Sequence, residues 1–246
     1  MLAARLVAFA TPLCEKLTVR DIRIGLGYTC VELSDGSVGL AWTPGDRAAS
    51  CTHLKGAGGL IGLPAGNLLA WLTGPDHLAR AIGLAVFNAI NMNTERAFAE
   101  EEALDLLGIT ASDHVVMVGH FAPVIPKIKA TGCHLDVVEL DGGKPGIIGA
   151  IEGNQALERC DVAIITSTSI INDTIDGLLA KLTRNRSAVM LGPSTPLCRQ
   201  AFLGTRISQL TGVRVLDAEA VKNTISQGGG TMLLKKHLRF LTEMVQ

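Results

Sequence analysis

Aromatic residues are scarce in this chain: one Tyr, two Trp and six Phe, or 4% of 246 residues. Proteins that hold single-stranded nucleic acid stack bases on aromatic rings, and few such platforms exist here. A basic surplus is lacking as well, because 22 Lys and Arg meet 23 Asp and Glu for a formal charge of -1. Without that surplus no phosphate-backbone footprint can be assembled, so nucleic acid is not an expected partner. No apolar run approaches the ~18 uninterrupted residues of a membrane-crossing helix, so no membrane role is expected either. The six cysteines (Cys14, Cys30, Cys51, Cys133, Cys160 and Cys198) include no CxxC pair. Several lie in apolar runs, where a free thiol behaves as a small hydrophobe. Apolar content itself is high, at 48%, and with almost no net charge this excludes a disordered chain. Glycine is also abundant, with 27 residues where a usual share is ~7%.

The N-terminal stretch places Arg5 before LVAFA, a faint likeness to a leader. The run is short, and Glu15 and Lys16 follow it directly, so residues 1–17 read as a helix and the cytoplasm is the expected location. Residues 19–42 read as two antiparallel strands turning at Ser34, Asp35, Gly36 and Ser37, where Gly supplies positive φ and Asp bonds its own backbone. Residues 43–75 are Gly-rich, carry three Pro and show no sustained periodicity. They read either as a ligand-facing loop or as a crossover with a short helix at 67–72. A helix over 76–90, entered through Pro75, is followed by a helical stretch over 94–107 that stops at Gly108.

From residue 113 the rhythm changes. Short Val- and Ile-rich runs at 113–119, 135–140, 161–168, 187–192 and 213–217 are separated by helical segments near 123–131, 153–160, 173–184, 196–204 and 218–226. Strands apolar on both faces and alternating with helices indicate a parallel sheet covered on two sides. The expected fold class is therefore α/β, with a small α+β domain over 1–107 and a doubly wound parallel layer over 108–246. A final helix is expected over 231–244.

Open parallel sheets bind ligands beyond the carboxyl ends of their strands. After the first run comes GHFAPVIPK. Phe121 and Val124 stand where the dinucleotide fingerprint wants Gly. Gly119 still permits close backbone approach, His120 is the nearest titratable group, and Phe121 can cover an apolar ligand. Glu139, twenty residues beyond Gly119, sits where an acidic side chain accepts ribose hydroxyls, with Asp141 as the alternative. Thr166, Ser167, Thr168 and Ser169 cluster hydroxyls after the third run, and Asn172 or Asp173 is placed to cap the next helix. After the fourth run, Ser194 or Thr195 is placed to cap a helix opened by Pro196. Together these predict a polar, anion-tolerant cleft. The helix ahead of the layer ends with three amides, Asn88, Asn91 and Asn93, the first two on one face, and Asn88 calls for a partner, since Asn is weak in helix interiors. Interdomain hydrogen bonds and ligand contacts both answer to that. Cys51 and His53, with Cys30, His77 and His120, are the metal ligands to weigh, but no Cys₂His₂ spacing or HExxH appears. No GxSxG nucleophile elbow is present.

The combination FNAINMN, GHFAPVIPK, DVAIITSTSIINDTIDGLL and MLGPSTPL resembles the family described as putative heavy-metal chelation, once a domain of unknown function. The resemblance implies a Rossmann-like C-terminal domain behind a small N-terminal domain similar in fold to the enolase N-terminal domain. It further implies an interdomain cleft site, carried here by Asn88, Gly119, Phe121, Glu139, Thr168, Asn172, Gly192, Pro193 and Ser194. The expected ligand is a divalent or heavy metal, a metal chelate or a small anionic metabolite, and a homodimer is the candidate assembly. The competing readings are a nucleotide- or S-adenosylmethionine-dependent enzyme, with Glu139 on the ribose, and a non-catalytic interaction protein.

Overall fold

The computed structural model describes residues 1–45, 54–94, 96–99, 102–139 and 146–245. Cys51, His53 and Asp141 lie outside the described residues. The chain opens with α1 (Leu2–Ala10), then forms β1 (Val19–Ile24), β2 (Tyr28–Leu33) and β3 (Val38–Trp42). These make an antiparallel three-stranded sheet in the order β1-β2-β3. The turn at 34–37 is where the sequence places it: Asp35 Oδ1 accepts from the Ser37 N–H at 3.0 Å, and Gly36 takes φ +82°. Two strands become three because Gly25-Leu26-Gly27 turns the chain once more, where Gly25 lies against the Ile225 carbonyl.

The short α2 (Ala65–Leu69) leads to α3 (His77–Met92). Asp76 starts α3 by accepting from the Ala79 N–H at 2.7 Å, the bond that N-terminal caps supply. Every residue from Arg80 to Asn91 is buried. A helix apolar on all sides must be enclosed on all sides, and α3 meets β2 and β3 on one flank and the larger layer on another.

The helical stretch expected over 94–107 contracts to α4 (Ala103–Leu106). Ahead of it, Ala99 instead forms an isolated bridge to Thr242. The parallel layer then follows: β4 (His114–Val118), α5 (Ile125–Lys129), β5 (His134–Val138), β6 (Ile147–Ile148), α6 (Ala150–Leu157), β7 (Val162–Thr166), α7 (Thr168–Ile171), α8 (Ile175–Lys181), β8 (Ser187–Leu191), α9 (Arg199–Phe202), β9 (Gln209–Val215), α10 (Ala218–Ser226), α11 (Thr231–Leu234) and β10 (Leu238–Met244). The sheet order is β10-β9-β8-β7-β4-β5-β6. Strands β4 to β9 run parallel, and β10 pairs antiparallel with β9. The helix expected over 231–244 is thus mostly a strand, because Leu238–Met244 finds a full ladder on β9.

The strands alternate strictly between two cores. Val115, Met117, Val137, Ile164 and Val189 face one cluster with Ile128 of α5. Val116, Val138, Ala163, Ile165, Ala188 and Met190 face the other, which runs on through α3 to Val31 and Leu33 of β2. One apolar core therefore joins the small sheet to the large one.

Candidate functional site

From β4 the chain adds strands outward through β5 to β6 and then crosses back to add β7 on the other side of β4, so the order of the parallel strands reverses between β4 and β7. Beyond the carboxyl ends of strands at such a switch, doubly wound sheets leave a crevice. A cleft of about 670 Å³ opens there. Gly119 lies at the end of β4, Glu139 just past β5, and Thr166 at the end of β7, while Trp42 of β3 reaches in from the small sheet. Its far wall comes from Gly153, Asn154 and Leu157 of α6 and from Gly177, Leu178 and Lys181 of α8.

Local chemistry shapes this lining. Gly119 takes φ +95°, and a Cβ there would stand 2.9 Å from Thr166 Cβ. The close approach that its glycine permits is therefore to β7. The hydroxyls after β7 tie the turn together: Thr166 Oγ1 and Thr168 Oγ1 lie 3.0 Å apart, and Ser169 Oγ donates to the Thr166 carbonyl at 2.6 Å. Asn172 Oδ1 accepts from Thr174 Oγ1 at 2.8 Å. Asp173 follows with φ +62°, the positive-φ non-glycine among the described residues. Such backbone persists where its surroundings hold it. Here Arg80, buried in α3, donates from Nη2 to Asp173 Oδ1 at 2.7 Å and to the Ile170 carbonyl at 2.7 Å.

Of the site residues implied by the resemblance, Gly119, Glu139, Thr168 and Asn172 line this one cleft, as do Thr166, Ser169 and Asp173 from the hydroxyl-rich turn. Asn88 and Ser194 instead hold the two sheets together. The Asn88 amide donates to the carbonyls of Leu40 at 2.8 Å and Ser194 at 3.2 Å, while Ser194 Oγ accepts from the Trp42 N–H at 2.7 Å. Asn91 donates to the Leu197 carbonyl. Phe121 packs with the cluster on the sheet face away from the cleft. Gly192, at φ +129°, accommodates Ser167 Oγ, 3.1 Å from where its Cβ would be. Pro193 is half-buried and His120 is exposed; neither lines the cleft.

The two capped helix starts expected around the cleft differ from the observed ones. After β8 the chain stays non-helical until Arg199, since Pro196 holds the residue before it out of helical backbone and the Ser194 hydroxyl is spent on Trp42. No side-chain cap bond opens α8. Sequence reasoning missed Trp42, Lys181 and the Arg80–Asp173 pair. The tandem Asn172-Asp173 ahead of a helix was the available signal for the last, but Arg80 lies 93 residues away.

Soft metal ions select thiolates and imidazoles, and the described lining of the cleft contains neither. Burial pushes the Cys30 thiol up to about 12 and the Cys160 thiol up to about 11, which keeps both protonated. The cleft residues therefore do not fit a bare heavy-metal ion.

A family model described as "Putative heavy-metal chelation" matches residues 102–244, and a second of the same description matches residues 8–91. A Pyrococcus horikoshii protein of unknown function superposes over 100% of both chains with TM-score 0.84 at 20% identity. One from Desulfitobacterium hafniense DCB-2, also of unknown function, covers 97% of this chain and 98% of its own, with TM-score 0.80 at 19% identity. At those identities the likeness is one of fold. An uncharacterized Methanocaldococcus jannaschii protein is 22% identical over 167 residues, which span 65% of this chain and 64% of that relative's length. With the larger model covering more than half of its length, the chain belongs to the family described as putative heavy-metal chelation.

Proposed function

We propose that the protein binds a small organic ligand, either a metabolite or a metal carried inside an organic chelate, in the cleft beyond β4, β5 and β7. The observation that carries this reading is the cleft itself. Its volume of about 670 Å³ falls within the ~300–1,000 Å³ of small-molecule sites. Its walls combine apolar surface from Trp42, Val118, Val138, Leu157 and Leu178 with a few convergent polar groups. Thr168 and Asn172 offer hydrogen bonds, Glu139 carries an anion, and Lys181, whose ammonium stands 2.7 Å from Glu158 Oε1 in an exposed pair, carries a cation that a ligand could share, so an organic molecule with mixed polar groups is matched better than a naked ion.

Trp42 makes the reading testable by fluorescence. The other tryptophan, Trp71, does not line the cleft, so in a Trp71→Phe background Trp42 reports alone. Titration with metal chelates of organic acids, adenine nucleotides and S-adenosylmethionine should give a saturable change for one of these classes. A flat response to every class contradicts the proposal.

One observation favours a narrower reading. Glu139 stands at the carboxyl end of the strand next to β4, where an acidic side chain holds a ribose in dinucleotide folds. A nucleoside-bearing ligand then gives the saturable response, and Glu139→Gln abolishes it. A response confined to chelates removes that reading and leaves the broader one standing.

A further inference from the structure

We propose that His114, His134 and Asp136 form a second site, one that binds a single divalent transition-metal ion of the zinc class at the end of the sheet away from the cleft. His114 and His134 are the first residues of β4 and β5 and are direct partners across the parallel pair. Asp136 lies two residues along β5, hence on the same face as His134. The imidazole centroids are 4.9 Å apart. Asp136 Oδ2 lies 2.8 Å from His114 Nε2, and its Oδ1 lies 3.4 Å from His134 Nε2. Among the described residues, this is where three such donors come within 4.8 Å of one another.

Two imidazoles and one carboxylate suit zinc, cobalt or nickel, and the two nitrogens select against calcium and magnesium, which take oxygen ligands. An ion with metal–ligand bonds of about 2.0–2.2 Å would take the place of the 2.8 Å hydrogen bond between His114 Nε2 and Asp136 Oδ2, the pair opening slightly to admit it, and needs the His134 ring to swing into line. His134 can make that movement, because its side chain is 69% exposed. His114 is the fixed member: its backbone N–H donates to Asp161 Oδ2 at 2.9 Å. Three protein ligands leave the remaining positions of the ion to water or an exogenous donor. The site lies a whole strand length, about 15 Å, from Gly119 and does not rest on the cleft reading.

The test is a titration of EDTA-stripped full-length protein with Zn²⁺ against a chromophoric competitor, with Co²⁺ absorption as an independent readout. Wild type should bind one ion per chain at this site. His134→Ala and Asp136→Asn should each weaken that binding about tenfold or more, and Gly177→Trp in the cleft should leave it unchanged. Metal-free thermal unfolding of His134→Ala should match wild type, showing that the exposed ring is not needed for folding. Absence of Zn²⁺ binding in wild type, wild-type affinity in both ligand variants, or a loss seen only with Gly177→Trp would overturn the proposal.

Discussion

Single residues decide how closely the elements of this fold can approach. A Cβ on Gly39 of β3 would stand 2.1 Å from the Ala85 carbonyl oxygen and 2.3 Å from the Ala89 nitrogen, so β3 rests directly on the backbone of α3. Gly39→Ala should therefore destabilise by about 3 kcal/mol or more, the upper end of core overpacking. In α8, Gly177 has nothing within 4 Å of its missing Cβ, and Gly177→Ala should be neutral or stabilise by up to ~1 kcal/mol through helix propensity. Urea unfolding of the pair checks both signs. Glycine abundance was visible in the sequence, but this contrast was not, because it depends on what packs opposite. The cysteines give a second residue-scale expectation. Cys30 and Cys160, buried with thiols pushed up to about 12 and about 11, should resist iodoacetamide at pH 8 until the chain unfolds. Cys133, partly exposed, should label in the native state, as mass spectrometry of digests would show.

At the scale of elements, five of the parallel strands, β4, β5, β7, β8 and β9, were legible as short apolar runs, whereas β6, only the two half-buried residues Ile147 and Ile148, was too short to read. The C-terminal segment was not legible either. Leu234, Leu238 and Leu241 recur at helical spacing, yet seven residues of β10 pair with β9, and tertiary pairing outweighs local pattern. The connection into β4 rests on Asp113 and Arg186. Arg186 donates to Asp113 Oδ2 at 2.6 Å and to the Leu107 and Gly108 carbonyls at 2.9 Å each. Burial pushes the Asp113 carboxyl up, but Arg186 and the Thr110 N–H and hydroxyl outweigh it and hold the carboxyl below its ordinary value. A carboxyl depressed in the folded state stabilises the protein above its unfolded pKa of ~3.9, and that contribution is lost as pH falls through the folded value. Asp113→Asn should thus cost stability at pH 7, and its deficit relative to wild type should shrink steadily below pH 4. A deficit independent of pH would show that Asp113 acts through packing alone.

For the whole molecule, the two sheets are joined by a continuous core and by polar clamps. Asn88 and Ser194 were singled out from sequence, and the geometry commits them to Leu40, Trp42 and each other across the junction. Asn88→Ala should cost about 1–3 kcal/mol, because it strands two buried carbonyls; thermal unfolding measures this. No helix of the described residues is long and apolar enough to cross a membrane. The position of the cleft was legible, since strand ends in a parallel layer could be located from their runs. The contribution of Trp42 and Arg80 was not, because no sequence spacing brings the small sheet and α3 to the same crevice. If this crevice holds a small organic ligand, that ligand stabilises the folded chain, and thermal shift reads the effect. A ligand at 100 times its Kd stabilises by ~2.7 kcal/mol, which for a chain of this size raises Tm by about 5–10 °C. Screened against metal chelates, nucleotides and S-adenosylmethionine, wild type should show such a shift with one class, and Gly177→Trp, which fills the cleft mouth, should lose it. A shift of equal size in Gly177→Trp, or none with any class in wild type, would contradict the account.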